Sequence, residues 1–468
     1  MIYQQLFNQV KEPAVVRAGL IGCGNFGAAI LTQGRLIPRL ELKVVCDVRV
    51  EEAKKAFRLA GVRDSDIAVC DTAGQALWAM EAGKWVIVED AMNLMSLPLH
   101  VIVTATMVPE AGVKYAYEAI RHGKHVVMVD KEADCVCGPI LKHLADRAGV
   151  VYTAEDGDQP GLTMGLVSWA QMLGLEIIGG GYLHEVTYDP ASGKLRYSLA
   201  KELEITVPEE DRWALGHIQK GQVRRYMKVR DRLSAPWQHL EECPANMCHL
   251  VVIANGTGLM PEIPGSHSSM ARITELPSVL CPKEEGGILK TRNALALPNI
   301  LRSGEAPKAG MGAFIMVTTA DKHAREKLAR CLESNWNKTA FLVYRPHHMV
   351  GVETATSIMV AGLLRAPTGS NTILPRLDVQ LQTRRDFKKG ETLSAPSELA
   401  YYPDVRATLI PAVPVADDNP LPAYMSEANR LTVDVPKGTV ITRRMIAPPG
   451  DSAMWFLRQQ QDALFLTP

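Results

Sequence analysis

Three stretches of this 468-residue chain combine residue types and spacings that can do chemistry. The first is Gly22-Cys-Gly24-Asn25-Phe26-Gly27, a G-x-G-x-x-G run between a strand-like segment and a helical one. Gly22 permits a tight turn, Gly24 lets backbone approach a pyrophosphate, and Gly27 lets the helix pack on its strand. Asn25 and Phe26 open that helix, where free N–H groups and the helix dipole favour an anion. Asp47 ends the next strand and is placed to accept hydrogen bonds from an adenosine ribose. Arg49, two residues on, is placed to pair with the 2′-phosphate of NADP. NADP is the expected cofactor and NAD the alternative.

The second stretch is a set of strand-end loops. Thr104-Ala105-Thr106 is expected to line the nicotinamide ribose, with a helix cap as its plain structural alternative. Asp130-Lys131-Glu132 offers a lysine that could protonate a carbonyl oxygen as hydride arrives, bind a substrate anion, or lie solvated on the surface. Glu155-Asp156-Gly-Asp158 puts three carboxylates in four residues. They suit a divalent ion such as Mg²⁺ or Mn²⁺, or substrate hydroxyls, or simply an acidic turn.

The third group lies further on, in polar glycine-bearing loops around Glu262, His267 and Pro282-Lys283-Glu-Glu-Gly-Gly287. Lys283 and His267 are candidates for anion binding or acid–base work. Cys243, Cys248 and His249 lack a second ligand pair at zinc spacing and read as structural groups. His347-His348 reads the same way.

These residues need elements to hold them. Val16–Ile21, Leu42–Cys46, His100–Thr104, His125–Val129 and Val150–Thr153 read as strands apolar on both faces. Asn25–Leu36, Val50–Ala60, Glu110–His122 and Gly138–Ala148 read as the intervening helices. That alternation predicts a doubly wound parallel α/β sheet of the Rossmann type, in which ligands bind beyond the strands' carboxyl ends. The expected organisation is a dinucleotide-binding domain over 1–160, an α+β catalytic domain over 161–360, and a small all-β domain over 361–468. Within the tail, Thr383–Leu393 and Leu431–Ile441 resemble each other, each placing Lys-Gly in a turn between short strands.

Composition narrows the function classes. Acidic and basic residues balance at 51 each, which argues against nucleic acid or an anionic membrane surface as a partner. Nine cysteines, an odd number without a framework pattern, read as reduced thiols of a cytoplasmic protein. Met1–Glu12 has no apolar core of a signal peptide, and no apolar run reaches the ~18 residues of a membrane span. The expected partners are a small-molecule substrate and further copies of the chain in a homo-oligomer.

Several motifs together carry a family resemblance. Gly123–Lys131 resembles the homoserine dehydrogenase segment in which a strand ends in an Asn-Lys pair, with Asp130 here in the first place. Gly157-Asp-Gln-Pro-Gly161, Ala254-Asn-Gly-Thr-Gly-Leu259, Pro282–Leu289 and Tyr344-Arg-Pro-His-His348 extend the match. The chain is similar to homoserine-dehydrogenase-like oxidoreductases with a C-terminal SAF domain. That group includes the reductoisomerase-like enzymes that convert 1-deoxy-D-xylulose 5-phosphate to 2-C-methyl-D-erythritol 4-phosphate. The resemblance implies NADPH as reductant and a central catalytic domain. The chain departs from the reductoisomerase-like members at Lys131, where they carry an apolar residue, and in having no lysine across Leu240–Asn246.

The expected activity is hydride transfer between NAD(P) and a carbonyl or carbinol carbon of a small polyol, sugar acid or sugar phosphate. Lys131 and Asp158 are the expected catalytic residues, with Lys283 from the second domain. The alternatives are a metal-dependent reductoisomerase and a dinucleotide-binding sensor without turnover.

Overall fold

The computed structural model describes residues 3–198, 200–304, 308, 311–393, 404–426 and 429–467. A short helix α1 (Tyr3–Gln9) leads into the alternating unit expected from the sequence. In order it comprises β1 (Val16–Ile21), α2 (Asn25–Gly34), β2 (Leu40–Cys46), α3 (Val50–Leu59), β3 (Ile67–Cys70), α4 (Ala73–Glu81), β4 (Trp85–Val88) and α5 (Met92–Met95). It continues with β5 (Val101–Thr104), α6 (Pro109–Arg121), β6 (His125–Met128), α7 (Lys131–Ala148) and β7 (Tyr152–Ala154). The seven strands are all parallel, in the order β3-β4-β2-β1-β5-β6-β7. The chain passes to one side of β1 through β2, β3 and β4, with β4 returning between β2 and the edge strand β3, and then, from β5, to the other side. The crevice between β1 and β5 is therefore the switch point, where a doubly wound sheet binds its ligand. Strands β3 and β4 were not read from the sequence.

Every residue of β5 and β6 is buried, as covered parallel strands require. Apolar clusters fill both faces, one around Ile30, Val45 and Phe57, the other around Val113, Ile140 and Leu141. Helix α7 begins seven residues before the expected Gly138, so Lys131 opens a helix rather than sitting in a loop.

Helix α8 (Gln159–Met172) carries the chain into the second unit. Here β8 (Glu176–Tyr182), β9 (His184–Asp189), β10 (Lys194–Tyr197) and β11 (Ala200–Thr206) are followed by α9 (Val223–Ser234), α10 (Gln238–Glu241) and α11 (Pro244–Thr257). Then come β12 (Met270–Ala271), α12 (Leu276–Val279), β13 (Ala294–Ala296), β14 (Asn299–Ser303), β15 (Ala313–Thr318), α13 (Lys322–Cys331), β16 (Phe341–Arg345) and α14 (Thr354–Met359). They build a five-stranded sheet, β11-β10-β9-β14-β12, and a four-stranded one, β13-β8-β15-β16. The end of this unit returns to the first sheet: Ile358, Met359 and Leu363 share a cluster with Val16, Ala18 and Leu20.

In the tail, β17 (Leu377–Thr383) and β18 (Val405–Pro411) pair antiparallel. The two similar segments meet in an antiparallel bridge. Phe387 and Val435 exchange both backbone hydrogen bonds. Asp386 accepts from the Lys437 N–H at 2.7 Å and Asp434 from the Lys389 N–H at 2.8 Å. Gly390 and Gly438 take positive φ at the two matching turns. Beyond this expected β structure and α15 (Ala423–Ser426), the chain adds a helix the sequence reading did not include, α16 (Ala453–Phe465), which packs on α6 and α7.

Candidate active site

The glycine loop has the space its sequence implies. Gly22 takes φ +100°, and a Cβ there would lie 2.1 Å from the Ala105 carbonyl oxygen. A Cβ on Gly27 would lie 2.1 Å from the Gly22 carbonyl oxygen, so α2 and its strand approach too closely for any side chain. A Cβ on Gly24 would meet nothing within 4 Å. The open side of the loop is thus at Gly24, directly before the first turn of α2 with Asn25 and Phe26. A diphosphate fits that cradle, with the helix N-terminus supplying donors. Asp47 anchors the loop from β2: its carboxylate accepts from the Cys23 N–H at 2.8 Å and the Arg49 N–H at 2.9 Å. The Arg49 side chain is exposed and has no partner among the described residues.

Of the β5 loop residues, Thr104 is not where the sequence reading put it. Its side chain is buried and its hydroxyl meets the Met128 sulfur at 3.2 Å, so it faces the sheet interior rather than a ribose. Ala105 packs against Gly22. Thr106 is held by Asp130, whose carboxylate accepts from the Thr106 hydroxyl at 3.2 Å and the Met107 N–H at 2.7 Å. Burial pushes the Asp130 carboxyl up to about 7. Asp130 is therefore a clamp on the turn that precedes α6.

Beyond β6 and β7 a cluster of ionisable side chains assembles. Lys131, at the first position of α7, forms an ion pair with Asp158, the N-cap of α8. Its ammonium also lies 5.5 Å from the centre of the Phe26 ring, a cation–π contact that ties this cluster to the glycine loop. The other Asp158 oxygen accepts from the Gln159 N–H at 2.8 Å. Burial alone would neutralise both partners. The Lys131 charge instead holds Asp158 well below the usual carboxylate range. In turn Asp158, then Glu132, outweigh burial and hold Lys131 above the usual lysine range.

Glu155 is only 2% exposed. One of its oxygens accepts from the Thr354 hydroxyl on α14, and the other has no hydrogen-bond partner among the described residues. Burial, then the neighbouring Asp158 charge, raises its carboxyl to about 8, which favours the protonated form. Burial, then the Glu353 charge, pushes the Asp156 carboxyl up to about 6. The three carboxylates of the acidic turn do not converge, and among the described residues no group of three His, Cys, Asp or Glu side chains forms a metal site. The donor set at Asp158 is committed to an ammonium.

His249, which the sequence reading treated as structural, completes the cluster. Its Nδ1 lies 2.6 Å from the Ala245 carbonyl oxygen, a pure acceptor, so Nδ1 bears the proton. Nε2, the free nitrogen of the neutral ring, points to Asp158 at 3.8 Å. Burial lowers its pKa against the pull of Asp158, which favours that neutral form. No spacing in the sequence marks a lone histidine within the apolar helix α11.

Lys283 and His267 stand apart from this group. Lys283 is exposed and lines a cleft of about 510 Å³ with Arg224, Asp231 and His267. His267 is bonded at 3.0 Å to Glu262. Burial would raise Glu262, but bonds from the Lys290 N–H, His267 and Thr291 outweigh it and hold the carboxyl at about 2. His348 is bonded to the Met311 carbonyl oxygen.

Residues 237–354 match the model described as the catalytic domain of oxidoreductase DRL. That segment includes His249 and Thr354, while Lys131, Glu155 and Asp158 precede it. No curated protein matches the chain. Solved structures that resemble part of it include the WlbA dehydrogenase from Bordetella pertussis in complex with NADH and UDP-GlcNAcA, at 22% identity and TM-score 0.24, over 38% of this chain and 48% of that one. Another is the 3-ketoreductase KijD10 from Actinomadura kijaniata, in complex with TDP-benzene and NADP, at 18% identity and TM-score 0.24, over 38% and 48%. A third is an oxidoreductase from Agrobacterium radiobacter in complex with NAD⁺, L-tartaric acid and magnesium, at 15% identity and TM-score 0.26, over 38% and 46%. The chain spans about half the length of the solved structures it matches. Among the described residues no helix is long and apolar enough to cross a membrane.

Proposed function

We propose that the protein is an NAD(P)-dependent oxidoreductase acting on a carbonyl or carbinol carbon of a small polyol, sugar acid or sugar phosphate. The observation that carries this reading is the Phe26–Lys131 contact, which joins an open diphosphate cradle to a buried cluster of ionisable groups across the switch point. Gly22, Gly24, Asn25 and Phe26 would hold the diphosphate, and Asp47 and Arg49 flank the adenosine ribose. The free Arg49 guanidinium favours NADP over NAD. A nicotinamide bound there supplies or takes up hydride at its C4.

The chain's own residues do the rest. The Lys131 ammonium donates to the substrate oxygen and offsets the negative charge that develops on it. Because Asp158 holds Lys131 cationic, the lysine keeps its proton and acts as an oxyanion partner. The proton of the substrate hydroxyl is exchanged at Nε2 of His249, whose lone pair faces the same point. Glu155, protonated and half-bonded, keeps the cluster from accumulating a second negative charge. The finer resemblance, to homoserine-dehydrogenase-like enzymes with an SAF domain, draws support from the paired Lys-Gly turns of the tail.

The test is a cofactor-fluorescence screen of phosphorylated and free polyols, sugars and sugar acids with NADH and NADPH, with and without Mg²⁺ or Mn²⁺. The expected hit is turned over by the wild type, while Lys131→Met binds dinucleotide normally and loses about 10²-fold or more in kcat. Normal turnover by Lys131→Met overturns the assignment. Activity lost on chelation and restored by Mg²⁺ would favour the reductoisomerase instead.

A further inference from the structure

Helix α7 contains a proline at its ninth residue, Pro139. Proline has no N–H to give the carbonyl four residues earlier, and its ring crowds that carbonyl, so such a site opens or kinks a helix. Two backbone groups flank the opening: the Ile140 N–H and the Val136 C=O, a pair that bond each other in an unbroken helix. Here both are met by one side chain from the far end of the sequence. Ile140 N–H donates to Gln461 Oε1 at 3.1 Å, and Gln461 Nε2 donates to the Val136 oxygen at 3.0 Å. Gln461 is 1% exposed.

Helix α16 is fixed so that Gln461 has little freedom. Glu110, in the first turn of α6, accepts from Ser452 Oγ at 2.5 Å and the Ala453 N–H at 2.6 Å. One turn before Gln461, buried Arg458 pairs in two bonds of 2.7 Å with Asp378 of β17 and at 2.7 Å with Asp462. The Cys137 thiol meets the Met454 carbonyl oxygen at 3.6 Å, on the same side of the break. The segment of α7 before the break, Lys131–Gly138, is the part that carries Lys131.

We infer that Gln461 is a positioning residue: by wedging into the Pro139 break it sets the direction of the first two turns of α7 and so keeps the Lys131 ammonium against Asp158. This rests on Lys131 being a reacting group, yet its test requires no substrate. The C-terminal helix is then a component of the active site built outside the segment that matches a catalytic domain.

Competitive amine labelling with acetic anhydride, read by peptide mass spectrometry on the full chain, measures the neutral fraction and access of each lysine. Lys142 lies on the same helix beyond the break, buried and bonded to Asp146 at 2.6 Å, and Lys124 is buried against the Leu97 carbonyl oxygen at 2.7 Å. Both serve as internal controls. Gln461→Met removes both hydrogen bonds at nearly constant volume. Lys131 labelling is expected to rise about tenfold or more, the effect of one pKa unit, while Lys142 and Lys124 hold their wild-type rates. If Gln461→Met fails to fold, Pro139→Ala/Gln461→Met lets Ile140 bond Val136 directly, and the same selective rise is expected because the straightened helix redirects its tip. An unchanged Lys131 rate in a folded variant overturns the inference. So does a rise shared by all three lysines, which marks general loosening. Neither result bears on whether Lys131 itself is needed for turnover, which Lys131→Met tests separately.

Discussion

Replacing Asp158 by Asn removes the charge that faces Lys131 and leaves the shape of the site nearly intact. The side chains are 5% and 20% exposed respectively, so the pair sits largely outside water. Asn can still cap α8 through its carbonyl oxygen, in place of the 2.8 Å bond that Asp158 makes to Gln159. What is lost is the partner of a buried cation, and breaking such a pair from one side costs about 3–5 kcal/mol. For a unit of this size that is a fall in Tm of roughly 6 to 20 °C. Asp158 is held below its unfolded value, so its contribution is present above the unfolded pKa and disappears as pH falls through the folded one. The gap between wild type and Asp158→Asn should therefore be full at neutral pH and start to close below about pH 4. In the variant, burial acts on Lys131 without its counter-charge, and its pKa drops. Scanning calorimetry of the wild type, both single variants and Lys131→Met/Asp158→Asn provides the measurement. The double variant should recover much of the single-variant loss, because no uncompensated charge remains. A Tm within about 2 °C of wild type for Asp158→Asn, equivalent to less than about 1 kcal/mol, would refute the desolvated pair.

Other outcomes follow from the same geometry. Gly24→Val should melt within about 1 kcal/mol of wild type yet lose dinucleotide binding, whereas Gly27→Ala, driven against the Gly22 carbonyl oxygen, should cost about 2 kcal/mol or more; paired melting and NADPH titrations check both. Glu155 binds a proton in the folded state between its unfolded value near 4.5 and about 8, so stability attributable to it falls as pH rises through that window. Glu155→Gln should flatten the slope of Tm between pH 5.5 and 8.5, and an unchanged slope would count against its protonation. Arg49→Gly should weaken NADPH by about tenfold and leave NADH unaffected, as read by fluorescence titration.

The parts of the site legible in the sequence are those set by backbone. The G-x-G-x-x-G run, Asp47 and Lys131 each follow an apolar strand, and a parallel sheet delivers such residues to one edge. The parts that were not legible depend on side-chain direction or distant partners. Thr104 ends its strand as expected, but its hydroxyl turns to Met128. The expected start of α7 at Gly138 is seven residues late, and the glutamine that bridges the break comes from 321 residues away. His249 gained its meaning only when α11 brought Nε2 beside Asp158. Strands β3 and β4 went unread although each is a four-residue apolar run of the same length as β5 and β6. In the tail, the two Lys-Gly segments were recognised as turns, while their mutual capping by Asp386 and Asp434 appears only in three dimensions.

Isothermal calorimetry of the purified chain with NADH and NADPH probes the heart of this account, a phosphate-gripping mouth at Gly22–Gly27 that delivers a nicotinamide to Lys131. The expected result is saturable one-to-one binding of at least one dinucleotide, abolished in Gly24→Val and retained in Lys131→Met. Absence of binding heat with either dinucleotide, in protein whose melting temperature both also leave unchanged, would contradict it.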